Sequence, residues 1–181
     1  MESTLELLLN NNILIMKILK FFLFLTLVIA YSCSEDGYAD YDPGQTKTKE
    51  LSGEWFIARY DSEGNPVDDY HLWSTYNTVE NNNQLWIDDD ASSVELKTKV
   101  ESDLNNLTFS GSPNSPELYN GGTVTVKNGK VIKNGGRGYS SGAVVDSIYF
   151  EVEFASEPGV IYKFGGHERT GFDEDDHPTI L

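Results

Sequence analysis

The chain carries a single cysteine, Cys33, so no disulfide can form within it. Basic residues are scarce: 13 Lys and Arg stand against 29 Asp and Glu, for a formal net charge of −16. Without clustered cations to neutralise phosphates, no nucleic-acid partner is expected, and flat adsorption onto an anionic membrane is disfavoured. The most apolar stretch, Ile18 to Tyr31, is broken by Lys20 and falls short of the about 20 residues that a spanning helix needs. No stretch of useful length shows helical periodicity. No GxSxG elbow is expected, nor a His-Glu-x-x-His, a cysteine cluster or a phosphate-cradling glycine loop. No metal site, no cofactor and no catalytic residue are therefore assigned.

The region from Met16 to Cys33 has the layout of a secretory signal. Lys17 and Lys20 form a positive start, Phe21 to Ile29 an apolar centre, and Ala30-Tyr31-Ser32-Cys33 resembles a bacterial lipobox, whose cysteine is acylated and becomes the new N-terminus. Residues 1–32 are read as the signal peptide, with Met16 as the expected start, because Glu2 and Glu6 would otherwise precede the basic segment. Residues 33–50 follow as a lipidated, flexible tether that is polar and acidic and carries Gly37, Pro43 and Gly44. Its acidic start resembles the signal that exports some lipoproteins to the outer face of the Gram-negative outer membrane. The expectation is a protein anchored in the outer membrane through Cys33, on its periplasmic or cell-surface side.

From Gly53 onward the hydrophobic period is two. Val94, Leu96, Thr98 and Val100 alternate with Glu95, Lys97, Lys99 and Glu101, and Ile148, Phe150, Val152 and Phe154 share one face. Strands are predicted near 54–61, 70–77, 84–88, 94–101, 106–110, 122–127, 130–133, 147–155 and 160–165. Asn128-Gly129 is read as a hairpin turn between two of them, Gly111 to Gly122 as an exposed loop, and Asn134 to Gly142 as a flexible loop over a barrel mouth. Short strands joined by tight turns predict an all-β, antiparallel up-and-down barrel of about eight strands, with a two-sheet sandwich as the alternative. The barrel domain is placed at 51–176 and a C-terminal tail at 177–181.

Several landmarks recur in a familiar order: Gly53-Glu54-Trp55, Thr75-Tyr76-Asn77-Thr78, Leu85-Trp86-Ile87-Asp88-Asp89, Leu107-Thr108-Phe109-Ser110, Val126 to Val131, and Arg169-Thr170-Gly171-Phe172 leading to Asp175. Together they resemble the bacterial lipoprotein family named "lipid-binding putative hydrolase", over roughly Leu51 to Asp176. The resemblance implies a lipocalin-like (calycin-like) barrel with an apolar ligand, and it carries over no catalytic residue.

Aromatic residues are the richest remaining signal, since small-ligand pockets are mostly apolar with a few polar groups. Trp55, Trp73, Tyr76 and Trp86 are the candidate lining residues, against the alternative that these rings simply fill the core. Arg59 shares a face with Trp55 and is the candidate partner for an anionic ligand group. His71, His167 and His177 combine with Ser74, Asp146 or Asp175 no more readily than in any β-protein of this size. The reading is a non-catalytic binder of a lipid or other small apolar molecule. The competing readings are a lipid-acting hydrolase and a surface accessory protein that binds glycans or envelope proteins.

Overall fold

In the computed structural model, the described residues are 46–178, with a helical stretch at 15–18 and Lys20 ahead of them. The expected signal segment beyond those few positions, Cys33 and the expected tether up to residue 45 lie outside the described residues. The folded unit opens on a 3-10 turn, Lys49–Leu51, and continues through nine strands: β1 Gly53–Tyr60, β2 His71–Asn77, β3 Gln84–Asp88, β4 Lys97–Asp103, β5 Thr108–Ser110, β6 Ser115–Pro116, β7 Thr123–Arg137, β8 Val144–Phe154 and β9 Tyr162–Glu168.

All pairings are antiparallel, and the order is that of the chain except at one seam. β1 pairs with β9, and β5 pairs with β7 through Thr108↔Lys130 and Phe109↔Gly129, which closes the sheet into a barrel. β5 and β6 act as one interrupted wall strand between β4 and β7. Near one end, Thr98 Oγ1 donates to the Pro116 carbonyl and Leu118 N–H to the Lys97 carbonyl, while Ser115 pairs with Val124 on the other side. The barrel thus has eight staves and no free edge. A two-sheet sandwich is excluded by that closure. The expected exposed loop from Gly111 to Gly122 is instead partly wall, and Glu117 within it is buried.

Alternation decides which side chains fill the interior. Trp55 and Ile57, Trp73 and Thr75, Leu85 and Ile87, Thr98 and Val100, Val124 and Val126, Ile148, Phe150 and Val152 are all buried. Trp73 packs against Phe150 and Phe164 at centroid distances of 5.6 and 5.1 Å, and Phe150 stacks on Phe164 at 5.3 Å. One end of the barrel is plugged. Leu51 is fully buried beneath the 3-10 turn, its carbonyl accepts from Thr75 Oγ1 at 2.7 Å, and Leu104 and Leu107 pack on the core.

Asn128-Gly129 is not a hairpin turn. β7 runs through it with a register shift between Lys127 and Lys130, so the pair is a β-bulge, with Asn128 at φ 54°. Hairpin chemistry and bulge chemistry both call for a residue at positive φ, and sequence alone does not separate them. A Cβ on Gly129 would lie 2.2 Å from the Phe109 ring, so the β5–β7 closure requires glycine there. Asn134 to Gly142 is likewise not a mouth loop. Asn134 to Arg137 belong to β7, and the tight turn that follows lies at the plugged end, where Asp175 accepts from the backbone N–H groups of Ser140 and Ser141 and from Ser141 Oγ. Gly135, Gly136 and Gly138 permit close packing, and a Cβ on Gly138 would meet the Asp175 carboxylate at 2.7 Å.

Candidate functional site

The end opposite the plug is open. Arg59 at the end of β1, Phe154 at the end of β8 and Tyr162 at the start of β9 are in phase with the interior faces of their strands. With Val94, Glu117 and Asn120 they line a cleft of about 530 Å³, within the ordinary size of small-ligand sites. Phe154 and Tyr162 meet edge to face at 5.8 Å. The Arg59 guanidinium lies 5.5 Å over the Tyr162 ring and its Nε is 3.6 Å from Asp68 Oδ2. Tyr162 OH donates to Glu157. The packed rings of Trp73, Phe150 and Phe164 lie deeper: Phe164 is the register partner of Arg59 on β9, two residues inward from Tyr162. Loops at this end leave Val67, Leu118, Val160 and Ile161 between 41% and 52% exposed, an apolar rim around the opening.

The five residues singled out from sequence divide three ways. Trp55 and Trp73 are interior but are 1% exposed and packed. Trp55 Nε1–H donates to Thr75 Oγ1 at 2.8 Å, whereas Trp73 Nε1 is buried with no partner among the described residues. Arg59 is at the mouth, with its side chain 34% exposed and Asp68 as its anion. Tyr76 and Trp86 do not line the interior. They pair across β2 and β3 on the outer face, an odd number of residues from the inward Trp73 and Leu85. Trp86 is half-buried there, with the Lys99 ammonium 4.9 Å over its ring. Phe154, legible from its phase with Ile148 and Phe150, is the wall residue that a tryptophan-led search passes over.

The outer face around Tyr76 is a charge cluster centred on Asp88. Its carboxylate accepts from Lys97 Nζ at 2.6 Å, Tyr119 OH at 2.6 Å and Tyr76 OH at 2.7 Å. Burial opposes ionisation, but these three donors outweigh it and hold the Asp88 pKa at about 2. A carboxylate depressed from 3.8 stabilises the fold above that value and loses the contribution as pH falls toward 2, a difference of about 2 kcal/mol. Acid titration of Asp88→Asn followed by circular dichroism is expected to show that much less stability lost between about pH 4 and about pH 2 than in the parent. Equal losses would place the acid sensitivity elsewhere. The neighbouring Asp89 carboxylate faces only backbone N–H groups. A larger cleft of about 710 Å³ lies where β4, β5 and β7 meet, but it is more open and is edged by Glu101, Asp103 and Lys130.

Gly138-Tyr139-Ser140-Ser141-Gly142 spells the letters of a nucleophile motif, and Asp175 and His177 lie beside it. The segment is a turn between two strands, not a strand-to-helix elbow. Ser141 Oγ donates directly to Asp175 at 2.7 Å, and His177 Nε2 faces His167 Nε2 at 2.9 Å. Among the described residues no serine or threonine hydroxyl is hydrogen-bonded to a histidine.

Residues 40–173 match the sequence family described as "Lipid-binding putative hydrolase". The chain belongs to that family. The family match spans every strand of the barrel and the open mouth, and the barrel agrees with a lipocalin-like fold. Asp175 and His177 fall beyond the matched residues of this family member. No curated protein matches the chain.

Proposed function

We propose that this protein holds a small apolar or amphipathic molecule, of lipid character, in the open mouth of its barrel and does so without transforming it. The observation that carries the proposal is the mouth itself: aromatic walls from Phe154 and Tyr162, one cation from Arg59, an apolar rim, and an opening of ordinary ligand size above an aromatic interior. The name of the family supports lipid as the ligand class. A packed barrel below the mouth favours a ligand that lies across the opening or enters it shallowly. In the same reading the chain is an outer-membrane lipoprotein anchored through acylated Cys33, supported by the lipobox-like ending of its signal segment.

The test is native mass spectrometry of the protein expressed from Ser34 onward, followed by organic extraction. A discrete added mass that is released as a lipid is expected. Arg59→Ala is expected to weaken binding of a fatty acid by about tenfold or more, the scale of a lost hydrogen bond to a charged group, and to leave a neutral lipid nearly unchanged. A clean mass that stays unaltered after incubation with fatty acids and lysolipids would move the assignment to an accessory protein. The serine of the turn motif gives the hydrolase reading its own discriminating experiment. Turnover of a short-chain ester that disappears in Ser140→Ala would replace binding by catalysis.

A further inference from the structure

The C-terminal segment crosses the outer wall of the barrel and ends its described course on a histidine pair. His167 is on β9 and faces outward, because it is the register partner of the outward Phe56. His177 comes from the segment after the 3-10 turn Asp173–Asp175. Their Nε2 atoms approach to 2.9 Å. His167 Nδ1 lies 3.1 Å from the Glu168 carbonyl oxygen, which can only accept, so Nδ1 carries the hydrogen and Nε2 presents its lone pair toward His177. A ring N–H tied to a backbone carbonyl, with the other nitrogen aimed at a common point, is the support that metal-binding imidazoles have.

The pair is held rigidly. The His177 ring stacks on Tyr70 at 4.3 Å and packs against Tyr139 at 4.3 Å and Phe56 at 4.9 Å. Tyr70 OH is in turn hydrogen-bonded to Tyr60 OH at 2.7 Å. The turn before His177 is fixed by Asp175, which accepts from Ser140, Ser141 and Thr170, and by Arg169, which holds Asp176 through two N–H donors. Both histidines remain partly exposed, so water can complete a coordination shell.

We propose that His167 and His177 form a two-imidazole site for a divalent transition-metal ion of zinc type, which fastens the C-terminal segment to the barrel wall. Imidazole is a preferred ligand of zinc, at Zn–N about 2.0–2.1 Å, and a tetrahedral ion would set the two nitrogens about 3.3 Å apart. The observed spacing needs to open by only a few tenths of an ångström. Among the described residues no group of three or more His, Cys, Asp and Glu is placed to hold a metal, so the protein supplies two ligands and water the rest. The site is therefore weaker than a four-ligand structural site, and its role is to secure a segment rather than to fold the domain.

Zinc titration of the full chain, read by calorimetry and by thermal unfolding, tests this. The parent is expected to bind one zinc that His177→Gln and His167→Gln each fail to bind. At zinc about 100-fold above Kd, its Tm is expected to rise by roughly 5–10 °C, and the rise should vanish in either variant. Any zinc taken up by the acidic runs is common to all three proteins, so the difference isolates the pair. Should His167→Gln, on a barrel strand, fail to fold, His177→Gln decides alone. Equal zinc binding by the parent and His177→Gln, or a parent Tm that zinc does not move, would overturn the proposal.

Discussion

Replacing Asp89 with alanine is expected to lower the stability of the barrel by about 3 kcal/mol and its Tm by roughly 10 °C. Asp89 is fully buried at the end of β3. Its Oδ1 accepts from the N–H groups of Ala91 and Leu96 at 3.0 and 2.9 Å, and its Oδ2 from Ser93, Val94 and Glu95 at 3.2, 2.8 and 2.8 Å. The loop between β3 and β4 is wound around this one carboxylate, with Asp90, Ala91 and Glu95 all at positive φ. None of those three is glycine, so the loop keeps a strained backbone because the carboxylate satisfies its donors. Alanine would leave five N–H groups without that acceptor. Asparagine would keep the Oδ1 bonds but turn an NH2 donor toward the other three N–H groups, and is expected to cost about half as much. Urea unfolding of the two variants checks the order. A loss under 1 kcal/mol for alanine would mean that water enters the loop and replaces the carboxylate. Because Val94 lines the mouth, the same substitution should also disturb ligand binding at the barrel opening.

The second large effect is expected at the seam where the first and last strands meet. Gly166 on β9 is the register partner of Ile57 on β1, and a Cβ placed on it would fall 1.9 Å from the Phe56 carbonyl oxygen. The obstacle is backbone, which cannot rotate aside. Gly166→Ala must therefore separate β1 from β9, and a loss of about 3 kcal/mol or failure to fold is expected, the upper end of what overpacking costs. Gly165→Ala is the control. Its Cβ would meet the Tyr60 ring at 3.2 Å, a side chain that can give, and the change should cost under about 1 kcal/mol. Denaturant unfolding of the two single variants provides the comparison. Similar losses would show that the seam tolerates the added methyl and that β1 and β9 slide to accept it.

The fold was legible because alternation is a one-dimensional signal. The inward set at Ile148 to Phe154 and the strand at 84–88 follow from period two with no knowledge of neighbours, whereas the strand predicted at 94–101 begins only at Lys97, because Val94 to Leu96 belong to the loop wound around Asp89. The up-and-down order follows from short connections. What period two cannot tell is whether a glycine breaks a strand or lets one through. Asn128-Gly129 and the glycines of Asn134 to Gly142 carry turn chemistry, yet both lie in or beside one long strand, because Phe109 and Asp175 press against positions where no side chain fits. Those partners are 20 and 37 residues away in sequence from Gly129 and Gly138.

The site was legible only in part for a related reason. Trp73 and Tyr76 look equivalent as aromatic residues in one strand, but three positions put them on opposite faces. Phe154 and Tyr162 carry less weight than tryptophan in a reading by residue type, although they occupy the ends of inward-facing sets. Which strand ends form a mouth and which form a floor depends on the plug at Leu51, which belongs to no strand. The histidine pair needed the return of the chain across its own outer wall, and no local pattern announces that.

The plug at Leu51 also fixes where the polypeptide arrives. The chain enters the folded unit through Lys47 and Thr48 at the sealed pole, where Lys47 N–H is bonded to Asn81 in the β2–β3 turn, while Arg59, Phe154 and Tyr162 ring the opposite pole. The entry of the chain and the opening are thus on different hemispheres of the domain. The folded domain is a cup whose stem is at its base.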